Sequence, residues 1–419
     1  MKFKYLLFTS LLLASLPAFA IDYDTDIYVD DSNTSSTKTY KPATQNTNYY
    51  PKFEGHILAE YYINALDSKD DIVNPHDSKN DYYLNLEALL KLQFKQGFFA
   101  ETKWQLSPVN DRVYTGDIYA ENPGYIVGNS LNSDFYGKQD YVKRKFQFSS
   151  YGLAVETLNV GYKNDNFAIG LGKINPTFAK AYDKARFSGV YGISMAEEYE
   201  MTGKIGGYIS AILPVGTITF NAFFDDKTGL SRTMFNSIKK DESEGGAGNT
   251  EKLNNFSITY DGHFDNLSLN FGFRYLDVDL ETEQPEKGFV LSGEYLMELP
   301  YDVNFLPFAE VAYFNNYDGM EDRNLTYFTT FLPIIIDGWH FIATNTFKFD
   351  NESGYKNYFS HLTQLSAGYK FDCGLMLDFA KIWEKNTMKA DGFAGVGNKQ
   401  KWTHDSDSWA FMVSYSFKF

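Results

Sequence analysis

From Phe53 to Phe419 the sequence is a succession of segments in which apolar and polar residues alternate one by one, and this period of two limits what the chain can become. In FSITYDGHF, Phe256, Ile258, Tyr260, Gly262 and Phe264 oppose Ser257, Thr259, Asp261 and His263. In LSLNFGFRY, Leu267, Leu269, Phe271, Phe273 and Tyr275 oppose Ser268, Asn270, Gly272 and Arg274. Successive side chains on a strand point to opposite faces, so each segment predicts a strand with one apolar face. Sixteen segments fit, at 53–63, 81–94, 98–106, 153–163, 166–174, 204–213, 216–225, 253–263, 267–278, 287–299, 303–314, 323–333, 338–349, 358–370, 374–385 and 407–419. One fits poorly: GLMLDFAKIW sets Lys381 on the face of Leu375, Leu377 and Phe379, which calls for a bulge or an interfacial position.

Most segments reach the ~9–11 residues that a tilted membrane strand needs. Aromatic residues make up 18% of the chain, yet mean hydropathy is -0.37. Beyond the first twenty residues no apolar run approaches the roughly 18 that a membrane helix requires. A closed barrel reconciles these facts, because every backbone group is satisfied between strands and only alternate side chains need be apolar. The joins agree. Short ones (Lys95-Gln96-Gly97, Asn164-Asp165, Pro214-Val215, Asp265-Asn266, Pro300-Tyr301-Asp302, Asp337-Gly338 and Phe371-Asp372-Cys373) alternate with long polar ones such as 107–152, 175–203, 226–252 and 385–406. The expected fold is therefore all-β: a transmembrane antiparallel β-barrel of sixteen strands over residues 52–419. Sixteen strands enclose an aqueous channel, where eight would be filled by side chains.

Residues 1–20 carry two lysines, an apolar run and Ala18-Phe19-Ala20, the pattern of a cleavable signal peptide. Residues 21–51 are polar and aperiodic and read as a flexible periplasmic leader. The aspartates clustered there, Asp22, Asp24, Asp26, Asp30 and Asp31, lack the glycine spacing of a calcium loop. Export with both ends on the periplasmic side gives short periplasmic turns and long extracellular loops. Cys373 is the one cysteine, so no internal disulfide is available. A formal net charge of -16 argues against nucleic acid as a partner.

The last segment, SWAFMVSYSFKF, sets Trp409, Phe411, Val413, Tyr415, Phe417 and Phe419 on one face, and pairing with the first strand would remove both open edges. This terminal pattern resembles the C-terminal signature of bacterial outer-membrane barrels. The resemblance implies that Tyr415, Phe417 and Phe419 form a signal read by the barrel assembly machinery. With the signal peptide and sixteen segments, the mature chain resembles a Gram-negative outer-membrane porin. That implies a passive diffusion channel for small hydrophilic solutes and ions, a homotrimer, and outer-membrane lipid and lipopolysaccharide as surroundings.

In porins the third long loop folds into the lumen, which here implies a constriction at 175–203 carrying Lys180, Asp183, Lys184, Arg186, Glu197, Glu198 and Glu200. The loop lacks the Pro-Glu-Phe-Gly-Gly turn of enteric general porins. Inward wall candidates are Glu87, Lys91, Glu101, Lys103, Arg274, Glu294, Glu298, Lys348 and Lys370. Charges in a narrow passage select ions and orient polar solutes. No cofactor, metal or catalytic role is expected: His56, His76, His263, His340, His361 and His404 are scattered without metal-ligand spacing and read as isolated. The competing reading is a structural or adhesive surface barrel with a blocked lumen, its long loops engaging a partner.

Overall fold

The computed structural model describes residues 50–70, 77–108, 151–186, 195–231, 234, 246–352, 356–390 and 400–419. The expected signal peptide, the acidic cluster and all but the end of the expected leader lie outside them.

Antiparallel neighbours follow in chain order: β1 (Lys52–Asp70), β2 (Asp77–Gln93), β3 (Phe98–Pro108), β4 (Tyr151–Lys163), β5 (Phe167–Ile174), β6 (Lys204–Leu213), β7 (Gly216–Phe224), β8 (Asn255–Phe264) and β9 (Leu267–Leu276). Then come β10 (Glu286–Tyr295, continued as Met297–Leu299) and β11 (Val303–Phe305, continued as Phe308–Asn315). β12 (Arg323–Ile336), β13 (Trp339–Glu352), β14 (Lys356–Lys370), β15 (Leu375–Ala390) and β16 (Gln400–Lys418) complete the set. β1 pairs with both β2 and β16, so the sheet closes into a sixteen-stranded barrel without a free edge.

At the seam, register runs from His56 opposite Lys418 to Asp70 opposite His404. Gly55 and Phe419 exchange backbone hydrogen bonds of 2.8 and 2.9 Å. The Phe419 ring covers Gly55, where a Cβ would stand 2.2 Å from its Cζ, and packs on Phe53 with centroids 5.8 Å apart.

Alternation now has a direction. Phe53, Ile57, Val160, Leu171, Phe271, Leu291 and Trp409 are exposed on the outside, while Asn221, Ser257, Thr259, Thr329, Gln364 and Ser414 are buried on the inside. An outer apolar belt around a polar interior inverts the water-soluble pattern and suits a bilayer. Among the described residues no helix is long and apolar enough to cross a membrane.

Two details depart from the sequence reading. The continuous strands expected at 287–299 and 303–314 break at Leu296 and at Leu306-Pro307, where Pro307 has no N–H for the ladder and its carbonyl accepts from Tyr295 N–H at 3.1 Å. No bulge accommodates Lys381, since β15 and β16 stay in unbroken register. Instead Lys381 pairs with Asp407 across the strands and lies 4.4 Å from the centroid of the Trp409 ring. A register shift occurs elsewhere, between Lys103 and Trp104 of β3, and gives β4 one extra residue at Glu156.

The candidate lumen and its inserted segment

Residues 175–186 and 195–203, on the join between β5 and β6, lie against the inner face of the barrel. Both ends of the segment meet at Asn175. Its side-chain oxygen accepts from Gly203 N–H at 2.8 Å, and its amide donates to Glu156 at 2.7 Å. Glu156 can reach them because the β4 bulge carries it inward, where Lys103 pairs with it at 2.9 Å and with Glu87 at 3.2 Å.

Beyond this clasp, Ser257 donates to the Thr177 carbonyl at 2.8 Å and Asn221 to the Thr177 hydroxyl at 3.0 Å. A short helix, α1 (Ala181–Arg186), follows. Lys180 reaches Asp261 of β8 at 3.0 Å and Lys184 reaches Glu294 of β10 at 2.7 Å. A 3-10 turn, Met195–Tyr199, returns along the wall. There Glu198 accepts from Tyr327 at 2.7 Å and pairs with Lys348, and the Tyr199 carbonyl accepts from Arg274 at 2.8 Å.

Apolar burial drives the seating. Phe178, Ala181, Met195, Ala196, Tyr199 and Met201 of the segment join inward-facing Val290, Phe314, Leu325, Tyr327 and Leu362 in one buried cluster. The Tyr199 ring stands 4.9 Å from Tyr327 and 5.6 Å from Phe314, while the Arg274 guanidinium lies over Phe178 and Phe314.

Most inward charges are compensated. Arg274 meets Glu286 at 2.6 Å, Arg323 meets Asp350 at 2.7 Å, and Lys91 lies 3.8 Å from Glu101. Burial opposes the charge on Lys180, but nearby Asp261 outweighs it and raises the ammonium pKa. Glu200 is pushed from its ordinary 4.5 up to about 8, first by burial and then by Asp183, Glu156 and Glu310.

The expectation of isolated histidines fails at His340. It is hydrogen-bonded to Asp378 across β14, and the two meet there because Gly368 between them has no side chain. A pair that spans an intervening strand has no signature in a linear sequence. Among the described residues, no group of three or more His, Cys, Asp or Glu could hold a metal ion.

No protein-family model matches the sequence, nor does any curated protein. Solved structures do resemble the fold. The outer membrane channel DcaP of Acinetobacter baumannii aligns over 87% of this chain and 96% of its own, with 10% identity and a TM-score of 0.51. OmpT, an outer membrane protein of Vibrio cholerae, aligns over 87% and 98%, with 8% identity and a TM-score of 0.48. OccAB4 of A. baumannii aligns over 88% and 99%, with 10% identity and a TM-score of 0.45. The chain has the porin fold of outer-membrane channels.

On this porin fold the residues singled out in the sequence fall into groups. Glu87, Lys91, Glu101 and Lys103 gather on β2 and β3, with Glu156 beside them. Arg274, Glu294 and Lys348 contact the inserted segment. Glu298 is exposed on the short extension of β10, and Lys370 ends β14 beside a turn; neither belongs to those groups. Lys180, Lys184 and Glu198 contact the wall, and Asp183 and Glu197 are exposed. The side chain of Arg186 lies outside the described residues. Sequence reasoning missed Glu156, Asp261, Glu286 and Glu310. For Glu310 a signal existed, because alternation in FAEVAYFN sets it on the inward face with Phe308, Ala312 and Phe314.

Proposed function

We propose that the chain is an outer-membrane porin of a Gram-negative bacterium, a passive diffusion channel for small hydrophilic solutes and ions without enzymatic activity. The observation that carries this reading is a polar, charge-lined interior against which residues 175–186 and 195–203 are seated, with ion pairs to the wall. In this reading Lys180, Asp183, Lys184, Glu197, Glu198 and Glu200 face the passage from the segment, and Glu87, Lys91, Glu101 and Lys103 face it from the wall. A narrow passage between low-dielectric walls magnifies each of these charges. Homotrimer assembly, recognition of Tyr415, Phe417 and Phe419 by the barrel assembly machinery, and contact of the outer belt with lipid and lipopolysaccharide belong to the same reading and rest on the resemblance to porins.

Single-channel recording of the refolded protein in a planar bilayer tests it. Steps on the order of a nanosiemens are expected from an open sixteen-stranded pore, closing in threes for a trimer. One observation favours the rival, a structural barrel with a blocked lumen: Tyr62, Leu325, Leu362 and Met412 point inward and are fully buried with the apolar side of the segment. Folded, inserted protein that gives no steps would establish that rival.

A further inference from the structure

Glu310 of β11 faces the lumen and is only 1% exposed. Its Oε2 accepts from the backbone N–H of Lys180 at 2.8 Å and of Ala181 at 3.1 Å, and its Oε1 accepts from the Tyr199 hydroxyl at 2.7 Å. All three donors belong to the inserted segment and none to the wall. They come from both limbs, one before residues 187–194 and one after.

Other inward charges are arranged differently. Arg323 with Asp350 is satisfied within the wall itself, and Arg274, which donates to the Tyr199 carbonyl of the segment, keeps Glu286 of the wall as its charged partner. Lys180 with Asp261, Lys184 with Glu294 and Lys348 with Glu198 do join segment to wall. Each of those pairs includes a side chain that is 20–35% exposed, so water can take the place of a lost partner. Glu310, 1% exposed while the segment is seated, is closed to water there. Were the Glu310 carboxyl removed with the segment still seated, three donors on two limbs would lose their acceptor at once, two of them on the buried residues Ala181 and Tyr199.

We propose that Glu310 is the positioning residue that pins both limbs of the inserted segment in the lumen and thereby sets the width of the passage. The second half of this inference rests on the channel reading; the first does not. Two measurements on the intact barrel therefore separate them. A spin label at Asp183→Cys, in a Cys373→Ser background, reports segment mobility whether or not the barrel conducts. Conductance and the largest neutral polyethylene glycol admitted report the width.

Glu310→Ala is expected to sharpen the label spectrum, to raise conductance about two-fold, and to admit larger polymers. Glu310→Gln keeps an acceptor for one limb and should fall between. Tyr199→Phe keeps the ring packing and should add brief current fluctuations at unchanged mean conductance. Asp302→Asn, on an exposed turn, should match the wild type. A folded Glu310→Ala barrel with wild-type label mobility overturns the pin. A mobile label with unchanged conductance and polymer cut-off overturns the control of width. Should Glu310→Ala fail to fold, wild-type behaviour in both Glu310→Gln and Tyr199→Phe overturns the proposal. A wild-type barrel that never conducts defeats the channel reading and with it the width claim, while the label still decides the pin.

Discussion

Among single residues, Glu200 offers the clearest test of how the segment is held. Its carboxyl is raised from 4.5 to about 8 by burial and by neighbouring carboxylates, so the seated segment favours the protonated form. The sign follows from proton linkage. The contribution of Glu200 to seating is full below its ordinary value, declines as pH rises, and is lost as pH passes through about 8. Open-channel current noise should therefore grow from mildly acid to alkaline pH, and Glu200→Gln should flatten that rise. Noise that fell with increasing pH would contradict the assignment. Individual side chains were the least legible level of the sequence. Alternation told which face Arg274 or Glu87 occupies, but not that Glu286 or Lys103 would meet them, because partners lie on different strands. Asp378 and His340 are 38 positions apart and are joined by the absence of a side chain on a third strand.

At the level of strands and joins the sequence was far more readable. Period-two alternation places sixteen strands because each needs one face for the belt and one for the interior. Breaks in β10 and β11 escaped it because the apolar residues around Leu296 and Leu306 keep the pattern while Pro307 removes a donor. The inserted segment was expected only by resemblance. Its own sequence has no sustained period, and what seats it is a set of contacts made with β4 and with the strands from β7 to β13. The β1/β16 seam gives a prediction of its own. At Gly55 a Cβ would meet the Phe419 ring at 2.2 Å, so Gly55→Val should weaken the seam by about 2 kcal/mol. Adding Phe419→Ala should recover part of that loss, a non-additive pair. The temperature at which the folded band converts to the slower unfolded band on a gel measures both. Equal shifts for Gly55→Val with and without Phe419→Ala would refute the coupling.

For the whole barrel, charge is the property that a reversal potential reads. In the proposed passage Asp183, Glu197, Glu198, Glu87, Glu101, Glu156, Asp261 and Glu294 outnumber Lys91, Lys103, Lys180, Lys184 and Lys348. A net acidic lining favours cations, and the preference should shrink as salt screens it. A salt gradient across the bilayer should give a cation-selective reversal potential, reduced by Asp183→Asn; an anion-selective sign would refute the assignment of these residues to the passage. The closure of the barrel bears on a different matter, the order of events in its birth. His56 and Ser416, whose side chains bond at 2.8 Å across the seam, are 360 positions apart. Contacts so distant along the chain form slowly, and unpaired strand edges in the meantime invite aggregation. β2 is at hand as soon as it is made, but nearly the entire polypeptide must be made before the first strand can find its second partner, so one edge of β1 stays open longer than any other pairing in the barrel takes to become possible.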